Sequence, residues 1–174
     1  MNKKIDPTVT IVLTACAQGL SLLVGLVPLL SLLAIPLAIL ATVFACILHF
    51  RVWSAVPASA RSTTPGKAVG FLFIPFFNFY WYFPSFVGLA ESIEKATGKP
   101  SARGLAVAHA VMSVLQWIII WIPIIGSLFT IASFVIWLMF VRAVVNDVNM
   151  RILITPAATN LPPMVSVPPP IASA

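Results

Sequence analysis

The chain has 174 residues, 60% hydrophobic and 8% charged, with a formal net charge of +6. A soluble domain carries about 25% charged residues, so this composition excludes an ordinary water-facing surface and implies one that faces lipid. The ten Lys and Arg residues are spread between apolar tracts, which excludes the clustered basic face of a nucleic-acid binder and reads as orientation information for a membrane protein.

Residues 1–8 form a short polar start carrying Lys3, Lys4 and Asp6. Residues 9–53 read as a first transmembrane hairpin, because the apolar tract is too long for one crossing of about 20 residues. Pro28 divides it into helices over 9–27 and 32–52, with an uncharged tight link at 28–31. Leu13-Thr14-Ala15-Cys16 matches a lipoprotein cleavage box. The sequence stays apolar long after Cys16, however, and Asp6 interrupts the basic region such a signal needs, so an ordinary first span is the better reading. On the second helix Ala34, Ala38, Ala41 and Ala45 recur at spacings that put them on one face. Small-residue stripes of this kind allow close packing of membrane helices. Ala15 and Gly19 give the first helix a short matching patch, so the stripe can pack within the hairpin or against another copy.

Residues 54–103 form a central aromatic and amphipathic segment. Thr64 reads as a helix cap with Pro65 in the first turn, and the helix over 66–74 stops at Pro75. Asn78 is positioned to cap a second helix that contains Pro84 and ends at Gly98. Its far half is amphipathic, with Phe86, Leu89, Ala90 and Ile93 on one face and a Glu91–Lys95 pair on the other. Residues 104–151 read as a second hairpin, with helices over 104–122 and 127–145 joined by an uncharged turn at 123–126. Ala106, Ala110 and Ser113 on one helix, and Gly126, Thr130 and Ser133 on the other, repeat the small-residue spacing. The two hairpins make a loose internal repeat. Residues 152–174 are a Pro-rich tail with too little to bury for a fixed structure.

With four crossings, both uncharged turns fall on one side and all ten Lys and Arg residues on the other; a fifth crossing through the central segment would split them. Charge therefore favours an all-α integral membrane protein, four transmembrane helices in two hairpins, with both termini cytoplasmic. The central segment then lies at the interface or re-enters. Ten of the sixteen residues from 71 to 86 are aromatic, which suits the headgroup level. Ile74-Pro75-Phe76-Phe77-Asn78, however, is similar to the broken turn between half-helices at transporter sites.

Thr64-Pro65-Gly66-Lys67-Ala68-Val69-Gly70, followed by Ile74-Pro75-Phe76-Phe77-Asn78 and Tyr80-Trp81, resembles a segment of bacterial multi-pass membrane domains of unknown function, where it also sits between pairs of hydrophobic helices. Trp53 and Arg61 fit that pattern loosely. The resemblance implies a protein of the bacterial inner membrane and singles out Pro65, Gly66, Gly70, Pro75, Asn78 and Trp81 as a candidate functional segment. It supplies no activity.

No nucleophile–base set or phosphate loop is present, so no enzyme and no cofactor are expected. Cys46 and His49 lie one turn apart, and Cys16 and His109 fall at similar depth. Packing explains these four residues as well as a metal does, and no metal site is assigned. No carboxylate lies inside a proposed span, against proton- or cation-coupled transport. Gln18, Gln116 and Asn78 remain as amides that bond between helices or meet a neutral solute. The expected function is an interaction or assembly protein of the bilayer, with a homo-oligomer or a membrane protein as partner. The alternative is a small transporter or channel subunit for a neutral solute using the break at Pro75 to Asn78.

Overall fold

A computed structural model describes residues 5–25, 31–119 and 122–153. The first tight turn at 28–30 and the Pro-rich tail beyond 153 lie outside the described residues, as do Lys3, Lys4 and the side chains of Ala15, Gln18 and Ala34. Every regular element among the described residues is helical. Chain order is α1 (Thr8–Gly25), α2 (Ser31–Ala55), α3 (Pro65–Gly70), a 3₁₀ turn (Phe71–Phe73), α4 (Phe77–Tyr82), a π turn (Phe83–Val87), α5 (Gly88–Thr97), α6 (Arg103–Ile119), α7 (Pro123–Asp147) and a last π turn (Val148–Leu153).

Helices α1 and α2 pack as one hairpin and α6 and α7 as another. Before α1, Asp6 Oδ1 accepts the Thr8 N–H at 2.9 Å, an Asx turn that opens the helix and holds the Asp6 carboxyl below its ordinary range. Among the described residues, two stretches are long and apolar enough to cross a membrane, Ile35–Ala55 and Ile125–Ile152. Helix α6 is apolar but has 17 residues, short of the roughly 20 a crossing uses. Length and composition thus carry two crossing helices rather than the four expected. Pro36 lies inside α2 without ending it, as proline can where neighbouring groups re-satisfy the backbone.

The central segment is a helical hairpin that turns back on itself. Thr64 caps α3 by accepting the Lys67 N–H, with Pro65 in the first turn, as the sequence indicates. The helix is shorter than expected and tightens into the 3₁₀ turn. Asn78 does not cap the return. The chain reverses two residues earlier, where Phe77 N–H donates to the Pro75 carbonyl at 2.7 Å around Phe76, whose φ is +63°. This is a γ-turn of the rare positive-φ hand. Phe77 to Thr97 then run back as one helical rod. Pro84 has no N–H for the Tyr80 carbonyl, which accepts from Phe83 instead. The Gly88 N–H reaches back to Phe83, widening the rod by one residue. Gly98, at φ +65°, closes α5 in the left-handed cap that glycine favours.

The core sits at one end of the molecule. Trp53, Val56, Ala68, Leu89, Ala90, Ile93, Ala106, Val144 and Val148 are all buried there. The predicted apolar face of α5 is the face it buries. Its polar face pairs differently from expectation: Glu91 and Glu94 meet Arg103 at 3.3 and 3.1 Å, so the partner comes from the start of α6 rather than from Lys95. The same end gathers the helix termini. Arg61 donates to the Val56 and Ser54 carbonyls and caps α2. Ser101 Oγ donates to Asp147 at 2.6 Å, and Asp147 also meets Arg151 at 3.4 Å. The Asn149 amide exchanges two hydrogen bonds with the Ile5 backbone. The starts of α1 and α6 and the ends of α2 and α7 therefore share one polar layer.

Candidate functional site

Below the polar layer the two hairpins are tied to the central segment, and beyond that tie they part. The tie centres on Ser85 in the widened turn, a residue with no exposed surface. Its hydroxyl donates to the Ala68 carbonyl at 2.8 Å, while its own carbonyl accepts the Trp53 indole N–H at 3.1 Å. His49 Nε2 stands 2.8 Å from Ser85 Oγ. Because the serine proton is committed to Ala68, His49 must be the donor in that contact. Ser85 is therefore a linchpin between α2, α3 and the rod, and not an activated nucleophile. A second serine does similar work nearer the polar layer: Ser92 Oγ donates to the Gly88 carbonyl and accepts the Ser62 N–H. A Cβ at Gly88 would stand 3.0 Å from Ser62 Oγ, so the rod approaches this loop closely because residue 88 has no side chain.

About 10 Å along the helices from the polar layer, a ring layer closes the bundle. Phe86 packs against His49 (4.5 Å between ring centroids), His109 (4.6 Å), Tyr82 (5.7 Å) and Phe140 (5.8 Å). Past this layer a cleft of about 610 Å³ opens between the hairpins. Helix α1 contributes Thr14; α2 contributes Ala38, Ala41, Thr42 and Ala45; α6 contributes His109, Ser113, Gln116 and Trp117; α7 contributes Thr130, Ser133, Phe134 and Trp137; and Tyr82 stands at its inner end. Counted along α2, Ala45 and Ala38 lie about 15 and 25 Å from the helix end at Ala55.

Among the described residues, no Lys, Arg, Asp or Glu lines the cleft. Four of its polar atoms are buried and have no hydrogen-bond partner among the described residues: Thr14 Oγ1, His109 Nδ1, Gln116 Oε1 and Ser133 Oγ. Thr14 and His109 are 6% and 8% exposed, so neither is satisfied by bulk solvent. Buried polar groups are ordinarily paired, so four unpaired ones on residues that line a single cavity are unusual. The amide of Gln116 is held in one orientation. Thr130 Oγ1 donates to the Gly126 carbonyl at 2.8 Å and so can only accept from Gln116, whose Nε2 lies 2.9 Å away. That leaves Gln116 Oε1 as an acceptor.

The sequence-derived segment is spread over several roles. Pro65 starts α3. Trp81 donates its indole N–H to the Lys67 and Ala68 carbonyls, closing the central hairpin. Gly66 and Gly70 have open space where a side chain would be. Pro75 lies at the hairpin tip, and Asn78 Oδ1 is buried without a partner but away from the cleft. The break at Pro75 to Asn78 therefore does not line the cavity. Of the alanine stripe, Ala41 is buried, Ala45 half-buried and Ala38 exposed, and all three face the cleft. Gln116 bonds across to α7, as an amide between helices was expected to do.

Ser113, Thr130 and Ser133 read in sequence as small packing residues; their hydroxyls at one depth, beside Gln116, were the available signal of a polar cavity. No group of three or more His, Cys, Asp or Glu residues among the described residues could hold a metal. His49 and His109 both pack against Phe86. No protein-family model, curated protein or solved structure matches the chain.

Proposed function

We propose that this chain is an integral membrane protein of four crossings, with both termini cytoplasmic, whose interhairpin cleft holds a neutral hydrogen-bonding ligand within the bilayer. Its role is binding, or passage through a transporter or channel subunit, rather than catalysis. The observation that carries the reading is a cleft between the hairpins lined by several hydroxyl and amide side chains and, among the described residues, by no charged one. Its volume falls within the roughly 300–1,000 Å³ usual for ligand sites.

Several features support the placement in a membrane. Residues 8–50 and 104–141 contain no Asp, Glu, Lys or Arg. Helices α1 and α6, with 18 and 17 residues, extend about 26 Å, near the hydrocarbon thickness of about 30 Å. The central segment is then a re-entrant hairpin. Its two ends meet at the polar layer, and Phe79 packs edge-on against Trp117 at 5.9 Å, about 20 Å along α6 from Arg103. The likeness of its sequence to bacterial multi-pass domains agrees with a bacterial inner membrane.

Native mass spectrometry of the protein released from membranes tests the binding role. Wild type carries a neutral adduct, and Ser113→Phe, which fills the cleft, loses it while keeping its helical content. An empty wild type, or an adduct indifferent to filling, overturns the reading.

Assembly is the second reading, favoured by the exposure of Ala38 at the cleft mouth, where a partner helix could approach closely. Ala38→Leu with Ala41→Leu should then abolish self-association in lipid; unchanged association sinks it.

A further inference from the structure

We infer that Arg51, Lys67 and Arg142 hold the phosphates of anionic phospholipids around the charged end of the molecule. This rests on α2 and α7 crossing the bilayer, as proposed above, and is independent of what fills the cleft.

Three tracts of the chain contain no Asp, Glu, Lys or Arg: residues 8–50, 68–90 and 104–141. Arg51 directly follows the first, Lys67 directly precedes the second, and Arg142 directly follows the third. These are therefore the charges at the edge of the apolar layer on α2, α3 and α7. The other two charges that adjoin these tracts, Glu91 and Arg103, meet each other at 3.3 Å. The edge shared by α5 and α6 is thus neutralised within the protein, and the other three are not.

Every carboxylate already has a partner. Glu94 also pairs with Arg103, Asp147 pairs with Arg151, and Asp6 accepts the Thr8 N–H. Arg51, Lys67 and Arg142 are exposed, and among the described residues no ion pair or side-chain hydrogen bond reaches them. Counted along the helices, Arg51 lies about 6 Å inside the end of α2 at Ala55, and Arg142 about 7.5 Å inside Asp147. One turn further in, the exposed surface is Ile47 on α2 and Met139 on α7. An arginine so placed lays its stem along apolar surface and lifts its charge to the headgroup level. An unpaired charge at the hydrocarbon edge needs a counter-ion, and lipid phosphate is the anion found at that depth. Two of the three cations are arginine, whose planar guanidinium grips a phosphate through two parallel hydrogen bonds. A zwitterionic lipid brings its own ammonium to compete for that phosphate, whereas an anionic lipid does not, so these positions favour the anionic one.

The test is native mass spectrometry of the full chain in detergent micelles, titrated with phosphatidylglycerol or phosphatidylcholine of identical acyl chains. Wild type should take up phosphatidylglycerol at concentrations at least about fivefold lower, the factor expected of a single cation near the headgroups. The gap should narrow as salt rises. Arg51→Gln with Arg142→Gln should bring the two lipids to within about twofold, and adding Lys67→Gln should bring them to parity. Lys95→Gln with Lys99→Gln removes the same charge away from these edges and should leave the preference intact. Equal uptake of the two lipids by wild type, or equal loss of preference in both double variants, overturns the inference and leaves the crossing helices in place. Displacement of phosphatidylglycerol by glycerol phosphate would mark a site for soluble phosphates and overturns it as well. Uptake of neither lipid overturns the bilayer placement itself, and the inference with it.

Discussion

The indole N–H of Trp53 donates to the Ser85 carbonyl at 3.1 Å, joining the first hairpin to the widened turn that Pro84 creates. Both residues are completely buried. A buried indole needs an acceptor, and the rod supplies one only because its regular backbone pattern is interrupted there. Trp53→Phe keeps most of the ring and removes the donor, and it should destabilise the fold by about 1–3 kcal/mol. Trp53→Ala should cost about 3–5 kcal/mol through the cavity it leaves. Ser85→Ala strips both the Ala68 carbonyl and His49 of a partner and belongs with the smaller loss. Denaturant unfolding in mixed micelles measures all three. A Trp53→Phe protein as stable as wild type would show that packing alone holds this junction.

The polar layer separates buried from exposed charge. Asp147 is 8% exposed and accepts from Ser101 at 2.6 Å while pairing with Arg151. Asp147→Ala should cost about 1–3 kcal/mol, since hydrogen bonds to a charged group are among the stronger ones. Arg103 bridges Glu91 and Glu94 with half its side chain exposed, and Arg103→Ala should cost less than about 1 kcal/mol. The same unfolding experiment ranks them, and the reverse order would mean that the Arg103 network, rather than Asp147, fastens the second hairpin to the rod.

Phe76 holds a backbone conformation that a residue with a Cβ seldom adopts, and its ring is 84% exposed. Strain of this kind amounts to about 1–3 kcal/mol, and little packing offsets it. Phe76→Gly should therefore raise the unfolding midpoint, by an amount equivalent to about 1 kcal/mol after the extra freedom glycine gives the unfolded chain. A clear loss of stability would mean that the exposed ring is held by lipid strongly enough to outweigh the strain.

Local chemistry was legible in the sequence where it depends on neighbours along the chain. Thr64 and Pro65 start a helix, Gly98 ends one, and the spacing of Phe86, Leu89, Ala90 and Ile93 names the buried face of α5. What depends on elements distant in sequence was not. Glu91 looks matched to Lys95 one turn away, yet α6 begins beside α5 and offers Arg103. Asn78 is a good capping residue, but the γ-turn at Phe76 reverses the chain before a cap is needed. The alanine stripe on α2 predicts close packing; that Ala38, Ala41 and Ala45 also line a cavity depends on α6 and α7 and could not be read from their spacing. Ser113, Thr130 and Ser133 were visible as small residues. Their hydroxyls became informative only when Gln116 was found beside them with its amide fixed.

The proposed four-crossing arrangement makes a sidedness prediction that the hairpin geometry sharpens. Ser59 and Lys99 flank the central segment and are exposed, and Ile122 is exposed at the opposite turn between α6 and α7. Because Ser62 and Ser92 are bonded to each other, the central segment leaves and returns at the same end. In a background with Cys16 and Cys46 replaced by alanine, Ser59→Cys and Lys99→Cys should react with a membrane-impermeant maleimide only from the cytoplasmic face. Ile122→Cys should react only from the other face. Residues 59 and 99 on opposite faces would turn the central segment into a crossing, which requires the Ser62–Ser92 contact to break and would move the solute path back to Pro75 and Asn78. Ile122 on the same face as the other two would mean that α6 and α7 do not cross, and the cleft would then face water rather than lipid.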